Sequence, residues 1–80
     1  MIDARQMKAA RALAGLTQED VAKATGLSVQ TIKRMEITGP ERSSAGNVQA
    51  VQRALEAAGV IFIPENGGGA GVRLAKPKNG

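Results

Sequence analysis

Two short helical segments separated by a single glycine constrain the fold of this chain more than any other feature. The stretch TQEDVAKATGLSVQTIKRME spans residues 17–36, with Gly26 near its middle. Thr17 caps one predicted helix, and Ser28 caps another that runs to about Ile37. Because glycine permits a left-handed turn at the junction, we expect the two helices to cross at a steep angle instead of lying parallel.

The inner positions of these two segments suit a tightly packed helix pair. Ala22 is small enough for a close backbone contact, and four apolar residues can close the pair against a core: Val21, Leu27, Ile32 and Met35. This arrangement leaves the start of the second helix exposed, where it can enter the major groove of DNA. We therefore interpret the pair as a helix-turn-helix. The alternative is an ordinary helical corner.

The rest of the chain predicts two more helices and a terminal hairpin, so the fold class is mainly α. Apolar residues at helical spacing predict a first helix that follows Asp3 and ends at Gly15, and a fourth over residues 45–58. Their inward positions are Met7, Ala10, Leu13, Ala14, Val48, Val51, Leu55 and Ala58. The run VIFI, a glycine-rich turn and the short segment VRLA then predict a β-hairpin. The predicted parts are a helical domain over residues 1–59, a hairpin over 60–75 and a flexible tail over 76–80.

Composition narrows the function classes open to this chain of 80 residues. It has no cysteine and no histidine, so thiol nucleophiles, disulfides and the usual zinc ligands are excluded, and we expect no enzyme, metal site or cofactor. No segment approaches the about 18 apolar residues of a membrane span, and we expect a cytoplasmic protein with no membrane partner. The net charge of +4 and the isoelectric point near 10.1 favour a polyanionic partner such as nucleic acid.

The segment GGGAGV invites interpretation as a nucleotide-binding loop. It lacks the last glycine of a dinucleotide fingerprint and the lysine of a P-loop, and it follows no strand–helix–strand pattern. A hairpin turn is therefore the favoured interpretation.

Residues 7–55 resemble the Cro/C1-type (XRE) helix-turn-helix regulators, through RALAGLTQEDVAKATGLSVQTIKRMEITG and the helix that follows. The tail RALEAAGVIFIPENGGGAGVRL is similar to a group of very small bacterial regulators of this family that end in a hairpin. The resemblance implies a compact four-helix, lambda-repressor-like domain that binds operator DNA, commonly as a dimer. It therefore implies a bacterial transcription regulator, for which we expect repression.

The resemblance also implies which residues contact DNA. Gln18 matches a family glutamine that holds a phosphate oxygen, and the other expected phosphate contacts are Thr17, Thr31 and Arg42. The expected base contacts lie at the exposed start of the third helix: Ser28, Val29, Gln30, Lys33 and Arg34. Gln30 suits adenine, Lys33 or Arg34 suits guanine, and Val29 suits the methyl group of thymine. The alternative for the two cations is a solvated helix face, and for Ser28 a capping role alone.

Two further features follow from comparison with the family pattern. Arg11 and Glu36 match a charged pair that joins the first helix to the third, which is a structural role. Glu41 departs from the family pattern. So does the dipeptide Ile37-Thr38, where the family often has Asn-Gly or Arg-Gly.

Six apolar residues of the hairpin have no partner among the predicted helices: Val60, Ile61, Phe62, Ile63, Val72 and Leu74. Alternation along the first strand places Ile61 and Ile63 on one face and Val60 and Phe62 on the other. Because both faces are apolar, we expect the helices to cover one and a second copy of the chain to cover the other, which predicts a homodimer. The alternative is a hairpin that only folds back on its own helices.

A protein-interaction module is the main alternative function. In that case the same fold binds another regulatory protein, as an anti-activator or an antitoxin-like partner does, and DNA contact is lost or secondary. The basic, hydrogen-bonding third helix argues against this alternative, so double-stranded DNA is the favoured partner.

Overall fold

The computed structural model describes residues 2–75, and the predicted flexible tail over residues 76–80 lies outside that range. The elements are α1 (Ala4–Ala14), α2 (Gln18–Thr25), α3 (Val29–Thr38), a 3₁₀ turn (Pro40–Arg42), α4 (Ala45–Ala57), β1 (Val60–Ile63) and β2 (Gly71–Leu74). The predicted four helices followed by a hairpin are confirmed. Among the described residues, no helix has both the length and the apolar character needed to cross a membrane.

Side-chain caps fix where the four helices begin. The capping residues are Asp3, Thr17, Ser28 and Ser44. At the first two the cap is reciprocal: Asp3 accepts from the Gln6 amide at 2.8 Å while Gln6 accepts from the Asp3 amide at 2.9 Å, and Thr17 and Asp20 repeat the arrangement. Each such reciprocal cap, called a capping box, gives hydrogen-bond partners to two backbone groups that a helix end leaves without them. The predicted caps at Asp3, Thr17 and Ser28 are therefore confirmed.

One apolar core joins the helices and the hairpin. Its buried members are Ile2, Met7, Ala10, Val21, Ala22, Ile32, Met35, Val48, Val51, Leu55 and Val60. Two predicted core residues lie outside it. Leu13 is exposed. It follows Met7 by six residues, and at about 100° per residue this places it about 120° around α1 from Met7. Ala58 follows the last residue of α4 and is also exposed.

The hairpin packs one face against its own helices. Val60 pairs with Leu74 and Phe62 with Val72, and cross-strand partners lie on the same face. Val60 is 2% exposed, and Phe62 and Val72 are partly buried against the core. These three residues therefore pack within the monomer, while Ile61 and Ile63 lie on the opposite, outer face; the dimerisation role expected for the six apolar hairpin residues stays a prediction.

A single glutamine on α1 also contacts both strands. The Gln6 amide nitrogen donates to the backbone oxygen of Ile63 at 3.2 Å and to that of Gly71 at 3.1 Å. Ile63 and Gly71 face each other at the loop end of the hairpin. Gln6 is itself buried, so α1 holds this end of the hairpin in place by hydrogen bonds as well as by apolar packing.

Candidate nucleic-acid interface

The turn between α2 and α3 has the close geometry that the sequence predicts. Gly26 has a φ of 76°, in the left-handed region, and its amide donates to the Ala22 oxygen at 2.9 Å. The Thr25 hydroxyl donates to the Val21 oxygen at 2.8 Å and accepts from the Leu27 amide at 3.2 Å. Ala22 is buried, α2 packs against α3, and the outer face of α3 stays exposed.

Opposite faces of α3 have opposite character. Ile32 and Met35 are fully buried, whereas Gln30, Lys33 and Arg34 are exposed. The exposed face therefore carries one amide and two cations, which together offer hydrogen-bond donors and positive charge to a ligand. This is the surface on which the sequence places most of the base contacts.

Three other predicted contacts at the start of α3 have partners within the chain. The Ser28 hydroxyl accepts from the Thr31 amide at 3.1 Å, and the hydroxyls of Ser28 and Thr31 lie 2.9 Å apart. Val29 is partly buried against the core. Ser28 therefore has the capping role in this structure, and Val29 offers less apolar surface to a ligand than the sequence suggests.

A buried carboxylate joins the first three helices beneath this surface. Glu36 accepts from Arg11 through Nε at 2.8 Å and through a terminal nitrogen at 3.0 Å, so the expected pair is present and bidentate. Gln18 donates its side-chain amide to the same carboxylate at 3.1 Å. The side chain of Glu36 is 2% exposed and that of Arg11 is 22% exposed. The hydrogen bond to Glu36 raises the pKa of Arg11, an effect that partial burial opposes.

This carboxylate fixes the orientation of the Gln18 side chain. A carboxylate only accepts hydrogen bonds, so the Gln18 nitrogen must face Glu36. That nitrogen carries two hydrogens, and the bond to Glu36 uses one of them. The second hydrogen is available to an external acceptor at the start of α2, where the backbone amides also favour an anion.

Two other predicted phosphate contacts are Thr17, the neighbour of Gln18 in the sequence, and Arg42, in a later segment. The Thr17 hydroxyl accepts from the Asp20 amide at 3.0 Å. Hydrogen bonds from the Thr17 backbone amide and, secondly, from the Thr17 side chain lower the pKa of the Asp20 carboxyl. Arg42 is exposed in the 3₁₀ turn after α3. The structure thus places Gln18 and Thr17 side by side, with Arg42 on a separate segment.

Sequence reasoning missed two features of this surface. The Gln18–Glu36 contact was not foreseen, although glutamine and glutamate are a common hydrogen-bonded pair. Ile37 was noted only as a departure from a family pattern, whereas it is 79% exposed on the outer face of α3. The exposure of Ile37 could have been predicted, because its spacing from Gln30 and Lys33 places all three on one face of the helix.

The described residues contain no group of three or more acidic side chains that could hold a metal ion.

Comparison with known proteins identifies the same segment. A family model described as Helix-turn-helix matches residues 7–57, which is more than half of the chain and includes α2 and α3. No curated protein matches the chain at a significant level.

Proposed function

This chain belongs to the Cro/C1-type (XRE) helix-turn-helix family of DNA-binding regulators, and from that premise we propose that it is a repressor that binds a specific duplex sequence as a homodimer. In this proposal α3 enters the major groove and α2 lies across the phosphates. Repression needs only that an occupied operator exclude other proteins from the same DNA.

The exposed face of α3 is the observation that carries the proposal. Gln30 can bond the N6 and N7 atoms of adenine, and Arg34 or Lys33 can bond O6 and N7 of guanine. None of these three side chains has a hydrogen-bond or ion-pair partner among the described residues. Their donors and acceptors are therefore available to base edges.

Gln18 supports the proposal from the side of the DNA backbone. Its amide is oriented by Glu36, and its second N–H can donate to a phosphate oxygen. We assign Thr17, Thr31 and Arg42 as further phosphate contacts. Such contacts fix the register of the protein on DNA but carry no sequence information.

Selection from a random duplex pool, followed by binding titrations, tests the base contacts. Replacing Arg34 or Gln30 by alanine should weaken binding to the selected sequence by ~1–3 kcal/mol and reduce the preference for particular bases at the contacted positions. Arg53→Ala is the matched control, since Arg53 is an exposed cation on α4. If Arg34→Ala and Arg53→Ala behave alike, α3 does not carry the specificity.

The Gln18 contact predicts a different pattern of loss. Gln18→Ala should weaken binding to all sequences by a similar factor, because it removes a phosphate contact. Binding of the parent chain should also fall steeply as salt rises, since cationic contacts to phosphates release counterions. A Gln18→Ala variant that loses affinity at only one base pair would contradict the phosphate assignment.

We propose that the outer face of the hairpin forms the dimer. Ile61 is exposed and Ile63 is half-buried on that face, and Leu74 is exposed at the end of the inner face. Both strands are also sheet edges, with backbone groups able to pair with a second copy. A dimer would bind two half-sites about 34 Å apart, which supplies the contact area that one small domain lacks.

Two lysine substitutions test this dimer surface without removing core residues. Ile61→Lys should convert a dimer to a monomer in sedimentation equilibrium at micromolar concentration, because it places a charge in the interface. Leu13→Lys changes a similarly exposed apolar residue on α1 and should leave the mass unchanged. A parent chain that is already monomeric contradicts the proposal, and a protein captured from the native host in place of DNA would favour the protein-interaction alternative.

A further inference from the structure

Ile37 occupies an unusual position for a large apolar side chain. It lies in the last turn of α3, and its 79% exposure makes it the most exposed large apolar residue among those described. It lies three residues after Arg34, four after Lys33 and seven after Gln30. Residues with this spacing share one helix face, so Ile37 extends the face that the proposed function assigns to base contacts.

The structure gives Ile37 no role in folding. Its inward neighbours Met35 and Glu36 are buried, whereas Ile37 is not part of the apolar core. In the homeodomain, a variant of the helix-turn-helix, the helix in the major groove contacts bases from positions separated by three, four and seven residues. An isoleucine at such a position has no hydrogen-bonding group, so any contact that it makes with DNA is apolar.

The major groove offers one apolar group among its base edges, the 5-methyl of thymine. The residues that line the surface depression beside Ile37 include Asp3, Glu41 and Arg5, and the two acidic residues disfavour a phosphate neighbour there. Val29, the residue to which the sequence assigns thymine contact, is partly buried against the core. Ile37 therefore offers the larger free apolar surface on this face.

We propose that Ile37 is a specificity-determining residue that contacts the methyl group of one thymine in each half-site. The inference rests on the proposed function, since it requires α3 to lie in the major groove. It adds an apolar contact at the end of α3 to the polar contacts of Gln30, Lys33 and Arg34.

Deoxyuridine provides a direct test, because it differs from thymidine only by the missing methyl group. The full chain and its Ile37→Ala variant are titrated with the selected duplex and with versions in which each thymine is replaced in turn by uracil. At one position per half-site, the substitution should weaken the parent about fourfold, the effect of losing one buried methyl-sized group. Ile37→Ala should lose a similar factor on the unmodified duplex and be insensitive to uracil at that position.

Control variants separate this contact from other effects of the substitution. Leu13→Ala removes an exposed apolar side chain on α1 and should respond to every uracil as the parent does. The thermal melting point of Ile37→Ala should equal that of the parent, since the side chain is not packed. If the parent binds the selected duplex but no uracil position is coupled to Ile37, the inference is overturned while the proposed function stands. If the parent selects no duplex at all, the proposed function fails and the inference fails with it.

Discussion

Replacing Arg11 by methionine should strongly destabilise the chain, because it strands the charge of Glu36. The Glu36 side chain is 2% exposed and receives two hydrogen bonds from Arg11, at 2.8 and 3.0 Å. After the substitution only the neutral amide of Gln18 still donates to that carboxylate. Removing one partner of a buried ion pair costs ~3–5 kcal/mol. The side chain of Arg11 is partly exposed, which favours the low end of that range.

A loss of this size is large relative to the stability of the whole domain. At ~0.05–0.15 kcal/mol per residue, a chain of 80 residues has ~4–12 kcal/mol in total. Each kcal/mol shifts the melting temperature of a domain of this size by ~4–8 °C. Thermal melts followed by circular dichroism should therefore show a fall of at least about 12 °C for Arg11→Met.

Two further variants show whether the stranded charge is the cause. Arg5→Met removes an arginine whose side chain is 94% exposed and whose contact with Asp3 is 3.8 Å long, so its melting temperature should match that of the parent. The double variant Arg11→Met with Glu36→Met removes both charges and should recover most of the loss. An unchanged melting temperature for Arg11→Met, or a double variant no more stable than the single one, would refute the reasoning.

Three other predictions concern stability, measured by urea unfolding. Gly26→Ala should lower the free energy of unfolding by about 1 kcal/mol, because Gly26 has a positive φ. Gly46→Ala, in α4 with open space around the site, should raise it by about 0.5 kcal/mol. Equal effects of the two substitutions would contradict this reasoning. Gln6→Leu should lower the free energy of unfolding by ~1–3 kcal/mol, because it removes the hydrogen bonds from Gln6 to Ile63 and Gly71. Amide hydrogen exchange should speed up first in the hairpin, and unchanged exchange there would show that these two bonds contribute little. The pKa of Asp20 is lowered on folding, so its stabilising effect is present above about pH 4 and is lost as the pH falls through the lowered value. Asp20→Asn should therefore be less stable than the parent at neutral pH, and the difference should shrink as the pH falls below about 4; a difference that does not change with pH would show that the charge is not responsible.

The sequence predicts the helices well because their signals are local. Thr17 and Ser28 are followed by helices in the structure, and the glycine after each of the first two helices has a positive φ. Capping depends on residues three positions apart, and periodicity depends on neighbours within two turns. Neither signal requires knowledge of the tertiary structure.

The orientation of the hairpin depends on tertiary packing, which its sequence does not specify. Both faces of β1 are apolar, so alternation identifies two faces without showing which one meets the helices. The structure buries Val60 and partly buries Phe62, and it leaves Ile61 exposed. The buried amide of Gln6, which bonds both strands, helps to hold this orientation, and a contact between residues 57 positions apart has no local signal.

The same limit applies to the proposed DNA-binding surface. Gln30, Lys33 and Arg34 could be placed on an exposed face from their spacing alone, and the structure leaves them exposed. The partial burial of Val29 and the contact between Gln18 and Glu36 depend on the angle between α2 and α3. That angle belongs to the packed fold, so only the folded chain reveals which side chains it brings together.

Glu36 connects the stability of the fold to the proposed contact with DNA. Its carboxylate accepts two hydrogen bonds from Arg11 and one from Gln18, so any Glu36 variant disturbs both the ion pair and the orientation of the proposed phosphate contact. Gln18→Ala removes one hydrogen bond to the carboxylate and leaves the ion pair intact. The two variants therefore differ in kind: Gln18→Ala should weaken DNA binding with ~1.5–3 kcal/mol of lost stability, whereas Glu36→Ala should lower both DNA binding and stability strongly. A Gln18→Ala variant as unstable as Glu36→Ala would mean that the glutamine, and not the arginine, is the main partner of the carboxylate.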